Sequence, residues 1–417
     1  MTSEDSPDEP TVGRGALSLI LIATVIAGAI GYLIQGVVPG FLGAADYATF
    51  GAFWAITYLL VSALSGVQQE LTRVSHTVVP NDSRARWPLA ARFILATAII
   101  AAVIVAVVFF PLSETVLGKN TAGLAAPLAI AVFGYTLVAG LSAALYGTRN
   151  WRGVAAMTVA DSAIRLILMA GVLALGLGMT ALGWAVALPF LLAAVILFLV
   201  VGGRVRRQLR VDATARTLVS GTLSTVAAAF ATGILISGLP FLLRASASAT
   251  DVTLVASLML VITLTRAPLV VPVMALQSYL IVQFRARPEH ARATVMRYAG
   301  MLFFVAAMLA TVAAWIGPGL LQWLYRGEYA LGAVDFAIIV LSAGLTGVMC
   351  ITAPAVLAVG KHAAYVSGWA LAAVITIATL FLPLGNWHAQ VLAAIVLAPA
   401  AGAVFHLLSL RPQPNAA

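Results

Sequence analysis

The chain has 417 residues, of which 62% are hydrophobic and 9% charged, with a formal net charge of +9. Soluble domains carry about 25% charged residues, so this composition excludes an ordinary globular protein and predicts an all-α polytopic membrane protein. The acidic start MTSEDSPDEP has no basic n-region and does not read as a cleaved signal peptide, while the single cysteine, Cys350, excludes an intrachain disulfide.

A bilayer core of about 30 Å needs about 20 helical residues per crossing. Apolar runs of that length predict spans at 15–38, 47–68, 92–112, 122–146, 154–176 and 181–202. A second set falls at 217–240, 252–282, 297–316, 333–357, 363–383 and 389–410. The connections alternate in basic content. Arg73, Arg84, Arg86, Arg92, Arg149 and Arg152 lie on one side, as do Arg204, Arg206, Arg207, Arg210 and Arg216. Arg285, Arg287, Arg292, Arg297 and Lys361 continue that side, and Arg14 and Arg411 at the termini join it. The other side has Lys119, Arg244 and Arg326. The positive-inside rule then places both termini in the cytoplasm. The basic residues encode topology, so nucleic acid is not expected as a partner.

No loop is long enough for a soluble catalytic domain, and the chain is not expected to be an enzyme. The Gly-Lys pairs at Gly118-Lys119 and Gly360-Lys361 lack the first glycine of a phosphate-binding loop. His76, His290, His362, His388 and His406 show no metal-ligand spacing, so neither metal nor cofactor is expected. Asn81-Asp82-Ser83 matches a glycosylation acceptor but falls on the expected cytoplasmic side.

The halves align at an offset of about 200 residues. "VVPGFLGAADYATFGAFWAITYLLVSAL" from Val37 and "SGLPFLLRASASATDVTLVASLMLVITL" from Ser237 each have a helix ending at proline, a Phe-Leu pair, a small-residue loop and a second helix. A parallel repeat of six spans predicts two six-helix bundles around a central cavity. The expected division is a polar tail at 1–13, an N-terminal bundle at 14–203, an arginine-rich linker at 204–216, a C-terminal bundle at 217–410 and a tail at 411–417.

Cations in the centre of a span are costly and mark functional sites or pairs. Arg165 shares a helix face with Thr158, Asp161 and Ser162, which reads either as a self-neutralised pair or as a polar stripe on a wet cavity. Arg266 has no acid within a turn. Its face runs through Val270 and Val273 to Gln277, roughly 20° off after eleven residues. Pro268 and Pro272 each remove a helix hydrogen bond and bend the span. A bent helix with a lone guanidinium suits a water-filled cavity receiving an anion such as phosphate; the competing reading is an arginine neutralised by Asp161 or Glu70 on another helix. Gln35, on a stripe with Thr24, Gly28 and Gly31, is a weaker cavity candidate. Gln68, Gln69 and Glu70 read as interfacial, and Trp54 and Tyr58 as facing a cavity, lipid or another helix.

"FLGAADYATFGAFWAITYLLVSALSGVQQELTR" (Phe41–Arg73) resembles the segment joining the first two spans of polysaccharide exporters. "LLQWLYRGEYALGAVDFAIIVLSAGLTG" (Leu320–Gly347) and "LAVGKHAAYV" (Leu357–Val366) resemble two further landmarks of the same proteins. The chain thus resembles the O-antigen and lipid-linked oligosaccharide flippase branch of the MOP exporter superfamily. Ala48 stands where that family often has glycine, and the basic loops are unusually rich in arginine. The resemblance implies a flippase of a bacterial cytoplasmic membrane that moves a polyprenyl-diphosphate-linked sugar to the outer leaflet by alternating access. Arg266 would meet the diphosphate, and Thr158, Ser162, Gln277 and Gln35 the sugar. Membrane lipids and polysaccharide polymerases or glycosyltransferases are its implied partners. A multidrug exporter of the same superfamily and a non-transporting scaffold of an envelope assembly complex are the alternatives.

Overall fold

The computed structural model describes residues 14–77, 87–118, 120–211, 213–247, 251–286, 291–383 and 385–410. Both terminal tails, Asn81-Asp82-Ser83 and Lys119 lie outside them, as do Arg84, Arg86, Arg287, His290 and Arg411. Twelve helices among the described residues are long and apolar enough to cross a membrane.

The first half contains α1 (Arg14–Val37), α2 (Ala44–Val74), α3 (Trp87–Leu117), α4 (Ala125–Gly147), α5 (Trp151–Ala174) and α6 (Met179–Gln208). Two of the helix boundaries show their local cause. Pro39 falls in the 3₁₀ turn Val38–Gly40 that ends α1, where its missing N–H and fixed φ are tolerated. Asn150 caps α5 by accepting from the Gly153 amide at 3.0 Å. The helix α6 continues to Gln208, so the expected linker from residue 204 begins as helix. The strand β2 (Leu209–Val211) then pairs antiparallel with β1 (Ser75–Thr77), which follows α2. This small ladder was not expected from the apolar pattern.

The second half opens with α7 (Ala215–Ile236), which Thr214 caps, and the short α8 (Leu239–Ser246). The predicted span 252–282 is two helices, α9 (Val252–Ala275) and α10 (Gln277–Ala286), parted at Leu276. Helices α11 (Ala291–Leu324), α12 (Ala333–Ala358), α13 (His362–Phe381) and α14 (Trp387–Ser409) complete the chain.

The pairings repeat. α4 packs on α2, α3 and α6, and α1 packs on α5. Six spans later α12 packs on α9, α11 and α14, and α7 packs on α13. Two six-helix bundles result, with α4 and α12 as their most buried members.

The bundles meet along α2 and α7. A Cβ on Gly66 would stand 2.4 Å from the Val226 backbone nitrogen, and one on Gly233 would stand 2.8 Å from Ser62 Cβ. Small residues at these positions let two backbones approach closely. The Thr225 hydroxyl donates to the Gly66 carbonyl across this seam at 2.8 Å.

At the end of the molecule carrying the β ladder and most of the basic loops, termed the basic end, Glu70 is buried against Gly221 and accepts two bonds from Arg73 at 2.6 and 2.9 Å. Glu70 is therefore not the solvated interfacial residue expected from its place at a helix end.

The opposite end is tied by hydrogen bonds to carbonyls. Tyr325, after α11, donates to Gly36 O at 2.8 Å. Tyr329 donates to Pro39 O at 3.2 Å and to Leu42 O at 3.3 Å. Arg244 in α8 donates to Leu117 O at 3.1 Å. Gly36 O and Leu117 O are acceptors left open where α1 and α3 end.

Candidate functional site: a cavity between the bundles

A cavity of about 550 Å³ lies between the bundles and takes walls from α1, α2, α4, α5 and α9. Toward the basic end its lining reaches Gln68, Tyr146, Met157 and Met274. Toward the opposite end it stops at Tyr47, Ser237 and Pro240, near the tyrosine ties; Tyr47 meets Tyr329 edge to face with centroids 5.7 Å apart.

Six of the seven residues expected from sequence line this cavity: Gln35, Thr158, Asp161, Ser162, Arg165 and Arg266. Gln277 does not. The helical-face argument carried the stripe from Arg266 across Leu276, but the helix breaks there and Gln277 starts a new axis. A wheel drawn over a break has no meaning.

The α5 stripe is one face, as its spacing predicts. Thr158 and Ser162 turn their hydroxyls onto Val154 O and Thr158 O, each at 3.1 Å, a common satisfaction of hydroxyls within apolar helices. Arg165 donates Nη1 and Nη2 to the two oxygens of Asp161 at 2.9 and 2.8 Å. Its Cζ stands 4.5 Å from the Phe190 ring centroid and 5.6 Å from that of Tyr58. The Nη edge and the faces of this guanidinium are occupied, its Nε is buried without a partner as that of Arg266 is, and Arg165 is buried. The self-neutralised pair and the polar stripe are thus both present: the pair lies in the wall.

Arg266 is held differently. Asp161 and Glu70, the acids weighed as its partners, accept from Arg165 and Arg73 instead. Nη1 of Arg266 donates to the Leu235 carbonyl at 2.6 Å. Leu235 belongs to the last turn of α7, whose carbonyls have no partner within their helix and where the dipole favours a cation. Nε of Arg266 is buried without a partner. So the side chain is anchored at one corner by a neutral acceptor and keeps its charge uncompensated by any carboxylate among the described residues.

The prolines shape this wall. Pro268 has no N–H to offer Leu264 O, four residues back. Tyr32 of α1 supplies the donor, its hydroxyl meeting that carbonyl at 3.1 Å. Thus the proline that loosens α9 also ties it to the other bundle.

Sequence reasoning left open or missed the aromatic wall. Trp54 stacks on Tyr58 with centroids 4.9 Å apart, and Tyr58 and Tyr135 both meet Phe190 edge to face. Gln68, expected at the interface, also lines the cavity. Trp54 and Tyr58 at i and i+4 were a usable signal. The partners from α4 and α6 had none, since aromatics in apolar helices stand out against nothing. Gln35 lines the cavity with Oε1 buried and unpartnered. Among the described residues, no group of three or more His, Cys, Asp or Glu side chains could hold a metal.

No family model matches the chain. Two uncharacterized proteins of Mycobacterium tuberculosis (strain ATCC 25618 / H37Rv), Rv3630 and Rv1510, are each 27% identical to it. They align over 96% and 100% of this chain and 93% and 96% of their own. Among solved structures, a lipid II flippase, MurJ, in an inward closed conformation superposes with a TM-score of 0.67 at 10% identity, over 95% of this chain and 88% of its own. An inward-facing multidrug resistance MATE family transporter of the MOP superfamily gives 0.63 at 14%, over 93% and 96%. The chain has the fold of the MOP-superfamily transporters. A MOP transporter from Pyrococcus furiosus, described by a binding pocket of reverse polarity that suggests a different function, gives 0.60 at 14%, over 94% of both chains.

Proposed function

We propose that the chain is a flippase that moves a lipid-linked sugar across a bacterial cytoplasmic membrane by alternating access, with the basic end and both termini in the cytoplasm. The observation that carries this reading is Arg266: a cation on an apolar, proline-containing helix, facing a cavity, with one carbonyl and, among the described residues, no carboxylate as partner. A guanidinium is costly in a membrane, and a phosphate linkage is an anion whose oxygens match its fork. The sugar is carried in the cavity beside Gln35, Gln68, Thr158 and Ser162, while the prenyl tail stays in lipid. Similarity of fold to a lipid II flippase supports this reading, and envelope polysaccharide polymerases or glycosyltransferases are the partners it implies. The multidrug alternative calls for a free carboxylate to meet organic cations, and Asp161 is already engaged by Arg165. A scaffold has no use for a cavity of about 550 Å³ around a cation.

The test is flipping of a lipid-linked sugar in proteoliposomes by the parent, Arg266→Ala and Arg266→Lys. Arg266→Ala is expected to lose at least about tenfold in rate, the loss of one charged hydrogen-bonding partner of roughly 1.5–3 kcal/mol, with partial recovery in Arg266→Lys. Normal flipping by a folded Arg266→Ala protein overturns this role.

A further inference from the structure

The fixed charges around the cavity specify how much negative charge its cargo brings. Among the described residues lining it, the charged side chains are Arg165, Asp161 and Arg266. Arg165 and Asp161 sum to zero and are joined by two short hydrogen bonds. Arg266 adds one positive charge, since its hydrogen-bond partner Leu235 O is neutral. The other polar lining groups are amides, hydroxyls and phenols. They orient a ligand but cancel no charge.

Resting on the flippase reading above, we infer that the cargo is a lipid glycoside joined through a single phosphodiester, with one negative charge, and not through a diphosphate, with two. A single phosphodiester on Arg266 brings the cavity to neutrality. A diphosphate leaves one negative charge over, and no rearrangement of the described lining residues removes it. If the cargo drew Arg165 away from Asp161, the carboxylate left behind would carry the same excess. Between closely packed apolar helices that excess is poorly screened, because charge interactions grow as the local dielectric falls. The chain resembles a family in which a diphosphate is expected, so this charge count separates it from that expectation.

The experiment uses the full chain in proteoliposomes with two short-chain polyprenyl lipids that carry one sugar, linked in one case by a monophosphate and in the other by a diphosphate. The parent is expected to flip the monophosphate-linked lipid at least about tenfold faster at low lipid concentration, as one uncompensated buried charge costs more than a decade in affinity. Asp161→Asn frees Arg165 and raises the cavity to two positive charges. Its preference is expected to swing toward the diphosphate by about tenfold on the same grounds. The double variant Asp161→Asn/Arg165→Gln restores one free cation, and its preference is expected to return to the parent's. Equal rates for the two lipids in the parent, or a faster diphosphate, overturn the inference even if Asp161→Asn does not assemble. A parent that flips neither lipid refutes the flippase reading itself, an outcome distinct from a parent that flips both alike.

Discussion

Two arginines of one cavity illustrate how the same residue type does different work. Arg165 is a piece of wall: removing it strands Asp161, a partly buried carboxylate at 17% side-chain exposure, without a counterion. Breaking such a pair by deleting one partner typically costs about 3–5 kcal/mol. Arg266 has one neutral hydrogen bond to lose and a desolvated charge to be rid of. The expected contrast is therefore sharp. Arg165→Ala lowers the detergent melting temperature strongly, while Arg266→Ala alters it little but slows flipping by at least about tenfold. Thermal unfolding of both variants in one detergent decides it; equal destabilisation would make Arg266 a structural residue too. Tyr32→Phe belongs at this scale as well. It removes the donor to Leu264 O, already deprived by Pro268, an expected loss of about 0.5–1.5 kcal/mol readable in the same melting experiment.

Among elements, the α2–α7 seam sets how closely the bundles approach. Gly66→Ala puts a methyl 2.4 Å from the Val226 nitrogen, an atom of helix backbone that cannot rotate away, so the helices must part. Overpacking of this kind typically costs about 1–3 kcal/mol. Gly300, exposed and with nothing within 4 Å of its Cβ position, is the matched control, since an exposed helical Gly→Ala change is neutral or favourable by up to about 1 kcal/mol. Comparable melting shifts at both positions would sink the seam argument. This seam also marks where legibility ends. Spans could be read because hydropathy is a property of one segment, and the i, i+3, i+4, i+7 stripe on α5 because it lies on one unbroken helix. Gly66 accepts from Thr225, 159 residues away in sequence, and no local pattern announces such a contact. Gln277 was misplaced for a related reason. Periodicity presumes a continuous axis, and Pro268 and Pro272 were read as bends within α9 when the axis ends at Leu276. The β1–β2 ladder, three residues a strand, is too short for any alternation to show.

Across the whole molecule, the cavity reaches toward the basic end while the opposite end is held by Tyr325 and Tyr329. These phenols tie the loop before α12 to the turn between α1 and α2, one bundle to the other. In the proposed transport cycle such ties must break and re-form, so they should be individually weak, about 0.5–1.5 kcal/mol each. Burial raises the ionisation of Tyr329 further above its ordinary value of 10.0, and neighbouring Tyr325 and Glu328 push in the same direction; burial raises Tyr325 likewise. A phenol whose folded value is raised contributes stability that is fully present below its unfolded value and is lost only as pH rises through the folded one. The ties should therefore hold unchanged through neutral and mildly alkaline pH. Tyr325→Phe/Tyr329→Phe removes the donors and keeps the rings, so packing against Tyr47 survives while the hydrogen bonds do not. Spin labels at Phe41 and Val334, both exposed at this end, should report a shift to longer separations in the double variant, with the parent distribution invariant below pH 9. If the variant's distances match the parent's, the apolar packing beneath the tyrosines holds this face closed and the phenols only decorate it.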